Sequence, residues 1–125
     1  MASYKIQWIE VIANLVFLTQ DGLLVWGAGE LFNSIGKQSD ERIESVFYTT
    51  YKGKKLRLYK RTYKAYRNDI TSTPYMADEV VLEIVADNGL TLWTFPKVDV
   101  TRDLLEAVQY EVSGANVFLV DMLKV

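Results

Sequence analysis

Basic and aromatic side chains alternate along one predicted strand, and this pattern suits binding to an anion. The alternating residues are Lys55, Arg57, Tyr59, Arg61 and Tyr63. Successive side chains of a strand point to opposite faces, so residues two apart share one face. Cations on that face would neutralise phosphates, and phenol rings would stack on unpaired bases. The spacing indicates a surface for nucleic acid or another polyanion over residues 52–67.

The distribution of charge favours a different interpretation of the same strand. Residues 45–68 contain eight basic side chains and no acidic one, whereas the rest of the chain holds six basic and sixteen acidic residues. Glu79, Glu83 and Asp87 alternate along the next hairpin with the strand period. We therefore expect a face on which Arg57 and Arg61 balance Glu44, Glu79 and Glu83 of the same molecule, and treat polyanion binding as the alternative.

Residue types narrow the chemistry further. The chain has no cysteine and no histidine, which excludes disulfides, thiolate catalysis and cysteine-based zinc sites and removes the usual general base. Glu79 and Glu83 would lie about 13 Å apart on one strand, wider than a glycosidase pair. Asp40, Glu41 and Glu44 lie in or next to an irregular segment. We predict no catalytic, cofactor-binding or metal-ligating residue, and keep a small enzyme without such chemistry as a third alternative.

Two glycine-containing segments resemble ligand loops only in part. Gly27-Ala28-Gly29 begins like a dinucleotide-binding loop, but Phe32 stands where the third glycine belongs. Asp87-Asn88-Gly89 resembles the start of a calcium loop, but the later glutamate is replaced by hydrophobic sequence. The first segment predicts a connector within residues 27–43, with one helical turn at residues 30–34.

The Asn88-Gly89 dipeptide predicts the hairpin around which the fold is organised. A two-residue type I′ turn there would pair Ile84 with Trp93 and Leu82 with Phe95 on the core face. It would also pair Val85 with Leu92 on the other face. The alternation therefore places the polar side of this hairpin next to the basic strand.

Lys52-Gly53 predicts the turn of an earlier hairpin, over residues 45–51 and 54–63. The turn has either two residues or a bulge. The two-residue register pairs Phe47 with Leu58 and Thr49 with Leu56 on the core face. On the opposite face it pairs residues 46 with 59, 48 with 57, and 44 with 61. Residues 65–77 are expected to form a loop.

Helical periodicity appears at both ends of the chain. Residues 6–18 predict a helix with Ser3 as N-cap and Asp21-Gly22 as its end, followed by a short strand or last turn at residues 23–26. Asp99 or Thr101 is expected to cap a second helix, which ends at residues 113–114. Residues 116–124 form a short helix or its bent continuation. We predict one α+β domain over residues 1–125. It has an N-terminal helix, a four-stranded antiparallel meander of two hairpins, and a C-terminal helix or helix pair on one sheet face.

The pattern Thr19-x-x-Gly22-x-Leu24-x-Trp26, followed by two hairpins and a C-terminal helix, resembles short uncharacterised bacterial single-domain proteins. The resemblance covers most of the chain as an order of elements. It implies the fold, and it brings no activity or functional residue with it.

Apolar side chains outside the main helical stripes indicate self-association. They are Val11, Phe17, Leu18, Phe118 and Met122. Large exposed apolar patches are rare on monomers, so we expect a homodimer. The longest apolar stretch, residues 11–18, is too short to span a bilayer, and no signal-peptide pattern is present, so we expect a cytoplasmic protein without a membrane partner. The function expected is a non-enzymatic interaction module.

Overall fold

The computed structural model describes residues 2–30, 41–66 and 73–124, with side chains of the first range from Lys5 onward. Its helices are α1 (Ala2–Gln20), α2 (Val100–Val112) and α3 (Ala115–Leu123). Its strands are β1 (Gly27–Ala28), β2 (Arg42–Tyr51), β3 (Lys54–Tyr66), β4 (Pro74–Val85) and β5 (Thr91–Thr94). The five strands form an antiparallel sheet in sequence order.

The predicted α+β class is confirmed, with one strand more than expected. The additional strand is β1, which pairs Gly27 with Tyr48 and Ala28 with Phe47, in a segment assigned from sequence to a connector. Helix α1 begins before Ser3, so this residue is not its N-cap. Strands β3 and β4 extend into the expected loop at residues 65–77, of which residues 67–72 lie outside the described residues. The helical turn predicted at residues 30–34 lies outside them too, except for Glu30.

Helices α1 and α2 pack on one face of the sheet and form the core with it. Ile12, Leu58, Leu82, Leu104 and Val108 have almost no exposed surface. At one edge of the core, three aromatic rings contact one another with centroids 4.8–5.2 Å apart. These rings belong to Trp8, Trp93 and Phe95. The core face expected from the two hairpins is therefore the face that the helices cover.

The Thr19–Trp26 pattern ends α1 and fastens the following segment to it. Gly22, at φ 74°, ends the helix, and the amide of Leu23 donates to the Leu18 carbonyl at 2.9 Å. Thr19 donates to the Leu15 carbonyl at 2.8 Å and accepts from Trp26 Nε1 at 3.0 Å. A left-handed residue is the usual end of such a helix. Leu24 is buried in the core, so each residue of the pattern has a structural use. Residues 23–26 form neither strand nor helix.

The first hairpin turn takes one of the two forms expected for it, whereas the second differs from its prediction. Lys52 (φ 49°) and Gly53 (φ 80°) form the two-residue turn, with Phe47 opposite Leu58 as predicted. At Asn88-Gly89 the predicted two-residue turn is wrong, because Gly89 alone has a positive φ and its amide donates to the Ala86 carbonyl at 2.9 Å. The loop therefore has three residues.

The longer loop and a bulge shift two parts of the register. Ile84 faces Trp93 as expected, but Val85 faces Thr91 rather than Leu92. In β2 the register shifts around Ser45, whose φ is 55°, so the predicted pairing of residues 44 with 61 is wrong. Glu44 lies opposite Lys60 instead. The predicted pairing of residues 46 and 59 falls within the same irregularity.

Candidate functional site

Two surfaces outside the helix–sheet core are candidates for a functional site. The first, here the charged face, lies on the side of the sheet away from the helices. It comprises Arg57, Tyr59, Arg61, Glu79 and Glu83 of β3 and β4, together with Glu41 and Lys97. The second, here the helical face, comprises the groove between α1 and α2 and the whole of α3.

Arg57 is the centre of the charged face and is fully buried. Its Nε donates to Glu83 Oε1 at 2.9 Å, its Nη1 to the Gly89 carbonyl at 2.9 Å, and its Nη2 to Thr91 Oγ1 at 2.9 Å. Thr91 in turn donates to Glu83 Oε2 at 3.0 Å. Each guanidinium nitrogen therefore has a partner within the chain, and the group is not accessible to a phosphate.

The local fold explains how this cation is buried. Arg57 and Glu83 lie directly opposite each other on adjacent strands, so their side chains meet on the same face. The three-residue loop directs the Gly89 carbonyl toward the guanidinium, where it accepts a hydrogen bond from Arg57. This contact was not part of the predicted two-residue turn. A buried ion pair is stable only when its remaining polar atoms are also hydrogen-bonded. The loop and Thr91 supply those bonds.

Arg61, four residues after Arg57 on β3, forms a second ionic cluster. Its Nε donates to Glu41 Oε1 at 2.6 Å and its Nη1 donates to Glu79, which also pairs with Lys97. Burial would raise the pKa of Glu79, but the hydrogen bonds from Lys97 and Arg61 outweigh it and hold that pKa below its usual value. For Arg61, burial works in the lowering direction, and the bonds to Glu79 and Glu41 still raise its pKa. Arg61 and Glu79 therefore stay ionised at neutral pH.

Tyr59 lies between the two clusters and stays protonated. Burial, followed by the charge of Glu83, raises the pKa of its phenol to about 12. Its ring lines an open cleft of about 270 Å³ together with Glu83 and the Arg61 cluster. A phenol with this pKa is a poor base at neutral pH. The carboxylates beside it are already engaged by cations, so the cleft lacks a free general base among the described residues that line it.

The five residues of the predicted anion surface lie on one strand, as expected. Their cations, however, contact aromatic rings of the same chain. Arg61 lies 4.4 Å from the Tyr63 ring centroid and Arg57 lies 6.0 Å from that of Tyr59. Lys55 lies over the ring of Tyr48 at 5.2 Å. The rings that would stack on bases therefore contact the chain's own cations.

Sequence reasoning missed Glu41 and Lys97. Glu41 was set aside as part of an irregular segment, yet it comes directly before β2 and reaches Arg61. Lys97 follows β5, and extending the β4–β5 register past Phe95 pairs it with Val80 on the core face, so the register does not predict its contact with Glu79. Glu44, which was expected to balance Arg61, instead lies 3.9 Å from Arg42. In the described residues no cluster of three acidic side chains could hold a metal ion.

On the helical face, a groove of about 600 Å³ runs between α1 and α2. Its apolar lining comprises Ala13, Val16, Phe17, Val100, Ala107 and Tyr110, and its rim carries Asp103, Glu106 and Glu111. Phe17 is 60% exposed. Ile6 and Ile9 continue the exposed apolar stripe along α1 at helical spacing. The two alanines give the groove its depth, because neither helix fills the space above them.

Helix α3 has no buried residue. Six of its nine side chains are apolar and between 49% and 76% exposed: Val117, Phe118, Leu119, Val120, Met122 and Leu123. The helix follows α2 after Gly114, whose φ is 80°. Asn116 Nδ2 donates to Glu111 Oε2 at 3.1 Å and ties its first turn to the end of α2.

The structure separates the five residues predicted for self-association. Phe17 lines the groove between α1 and α2, and Phe118 and Met122 lie on α3. Val11 and Leu18 line a smaller apolar groove of about 310 Å³ on the other flank of α1, beside Tyr51. Leu18 is partly buried against the core. Three of the five therefore belong to the helical face.

No protein-family model, curated protein or solved structure matches the chain. In the residues that the structure describes, no helix is long and apolar enough to cross a membrane.

Proposed function

We propose that the chain is a cytoplasmic, non-enzymatic interaction module that self-associates as a homodimer through its helical face. The observation that carries the proposal is α3, a helix that is apolar on every side and buried on none. A helix of this composition is normally enclosed by protein. Contiguous apolar surface of this kind on a small domain marks an interaction site.

The energetic reason is the cost of leaving α3 in water. Fully burying one side chain of this size contributes about 1.5–3 kcal/mol. The six large apolar side chains of α3 are between 49% and 76% exposed. Association also costs translational and rotational freedom. A dimer interface that covers most of α3 on both copies supplies enough burial to offset that cost.

The charged face favours neither catalysis nor polyanion binding. Its carboxylates are paired with Arg57, Arg61 and Lys97, and Tyr59 is neutral. The polyanion alternative gains no support, because Arg57 is buried and Arg61 is held by two carboxylates. We therefore assign the charged face to the stability of the sheet and the helical face to function.

Mass in solution tests the proposal. Sedimentation velocity over about 1–200 µM should show a dimer for the wild-type chain. Phe118→Glu or Met122→Glu places a charge on α3 and should raise the dissociation constant at least about tenfold. Leu92→Glu is the matched control, because Leu92 is 60% exposed on β5, away from the helical face, and it should leave the dimer unchanged. A wild-type monomer throughout this range contradicts the proposal.

A further inference from the structure

We propose that α3 of each copy lies in the groove between α1 and α2 of a second copy, so that one twofold axis generates two such contacts. This inference rests on the proposed self-association and specifies its geometry. The occupant of the groove is thus a defined segment of the same chain, residues 115–123.

The first support is the position of α3 relative to the groove. Glu111 lines one end of the groove and also holds Asn116 in the first turn of α3. Groove and helix are therefore neighbours on one continuous surface. In a twofold interface each patch contacts its counterpart reciprocally. Adjacent complementary patches allow such a pair to close, whereas patches on opposite sides of the molecule lead to rings or open filaments.

The second support is size. A nine-residue helix is about 13.5 Å long and about 10 Å wide, and the groove extends along α2 from Val100 to Glu111, about 17 Å at the helical rise. Burying half of such a helix removes on the order of 250 Å² from solvent. A helix and a groove on each of two copies then bury on the order of 1,000 Å², which reaches the lower limit for a specific interface.

The third support is the distribution of apolar and charged groups. The floor of the groove is apolar and its depth comes from Ala13 and Ala107, which leave room for the large side chains of α3. The residues that line the groove include three acids and no basic residue. Lys124 at the end of α3 suits this rim. Asp121 does not suit it and is expected to weaken the contact.

Filling the groove provides the first test. Ala13→Trp places an indole where α3 would lie and should raise the dissociation constant at least about tenfold. Asn14→Trp is the matched control, since Asn14 is exposed on the opposite flank of α1 and lines the other groove. Circular dichroism checks that both variants keep the wild-type fold. An unchanged dimer in folded Ala13→Trp overturns the inference.

Reversing a charge on α3 provides a second test, in which the variant is expected to strengthen the dimer rather than to disrupt it. Asp121→Lys faces the acidic rim and should lower the dissociation constant about two- to fivefold at low salt, with a smaller gain at high salt. Asp87→Lys makes the same change of charge in the β4–β5 loop and should have no such effect. A gain equal to that of the control, or a weaker dimer, contradicts the inference.

The outcomes separate the inference from the function on which it rests. A monomeric wild-type chain defeats both. A wild-type dimer that Phe118→Glu dissociates, but that neither Ala13→Trp nor Asp121→Lys alters, keeps the proposed function and overturns the groove as the site of α3. In that case α3 packs on another part of the second copy, such as the α3 helix of that copy. A gain with Asp121→Lys and a loss with Ala13→Trp support the inference.

Discussion

The charged face and the helical face both lie outside the helix–sheet core, yet they differ in how far the chain satisfies their side chains. On the charged face every guanidinium nitrogen of Arg57 has a partner, and Arg61 bridges two carboxylates. On the helical face, α3 contributes nothing to the core. Charge therefore indicates a binding surface only where it is left unpaired. Apolar surface left exposed on a whole helix is the stronger sign of a partner.

The largest effect should come from removing the buried cation of the charged face. Arg57→Ala leaves Glu83 buried without its partner, and the free energy of unfolding should fall by about 3–5 kcal/mol. The double variant Arg57→Met/Glu83→Leu removes both charges and should recover most of that loss. Urea unfolding measures both. A loss below about 1 kcal/mol for Arg57→Ala would mean that the charged face is open to solvent and free to bind an anion.

A smaller effect should appear at high pH through Tyr59. Its folded pKa of about 12 lies above the ordinary value of 10.0, so the folded state holds this proton more tightly than the unfolded state does. The resulting stability is fully present below pH 10 and is lost as the pH rises toward 12. Tyr59→Phe should lose less stability than the wild-type chain between pH 9 and pH 11.5.

The matched control for that measurement is Tyr66→Phe, which removes a phenol from a side chain that is 63% exposed. Chemical unfolding at several pH values supplies the comparison. Equal pH dependence of wild type and Tyr59→Phe would show that Tyr59 is hydrated, and the charged face would then resemble an open binding cleft.

The smallest effect is expected when nucleic acid is added to the protein. Because the charged face pairs its cations internally, single-stranded DNA or RNA at low salt should not bind at tens of micromolar protein. The net charge of −2 also gives no general attraction. Fluorescence anisotropy decides the point. Binding that weakens as salt rises and that Arg61→Ala reduces would reverse the roles assigned to the two faces.

Much of the fold could be predicted from the sequence because alternation and helical spacing are local signals. Ile84 faces Trp93 and Phe47 faces Leu58 as the patterns predict. Strand β1 could not be predicted, since two residues carry no period and their pairing with Tyr48 and Phe47 depends on the fold. The prediction of a two-residue turn at Asn88-Gly89 was wrong for a related reason. Its three-residue form places the Gly89 carbonyl beside Arg57, a contact that is distant in sequence.

The candidate surfaces show the same division between local and distant signals. Alternation placed Arg57 and Arg61 on one face with Glu79 and Glu83, but it did not reveal that Arg57 is fully buried. The apolar excess of residues 116–124 was visible from composition alone. That these residues form a helix without any buried side chain required the structure, because the same pattern would also fit a helix packed in the core.

The most direct test of the central claim is the mass of the wild-type chain at two salt concentrations, about 50 mM and about 500 mM NaCl. Sedimentation equilibrium should show a dimer at both, with an equal or lower dissociation constant at high salt, since apolar burial is not screened and the acidic rims repel less. A monomer at both concentrations, or a dimer that dissociates as salt rises, would contradict the account. The second result would place the interface on the charged face.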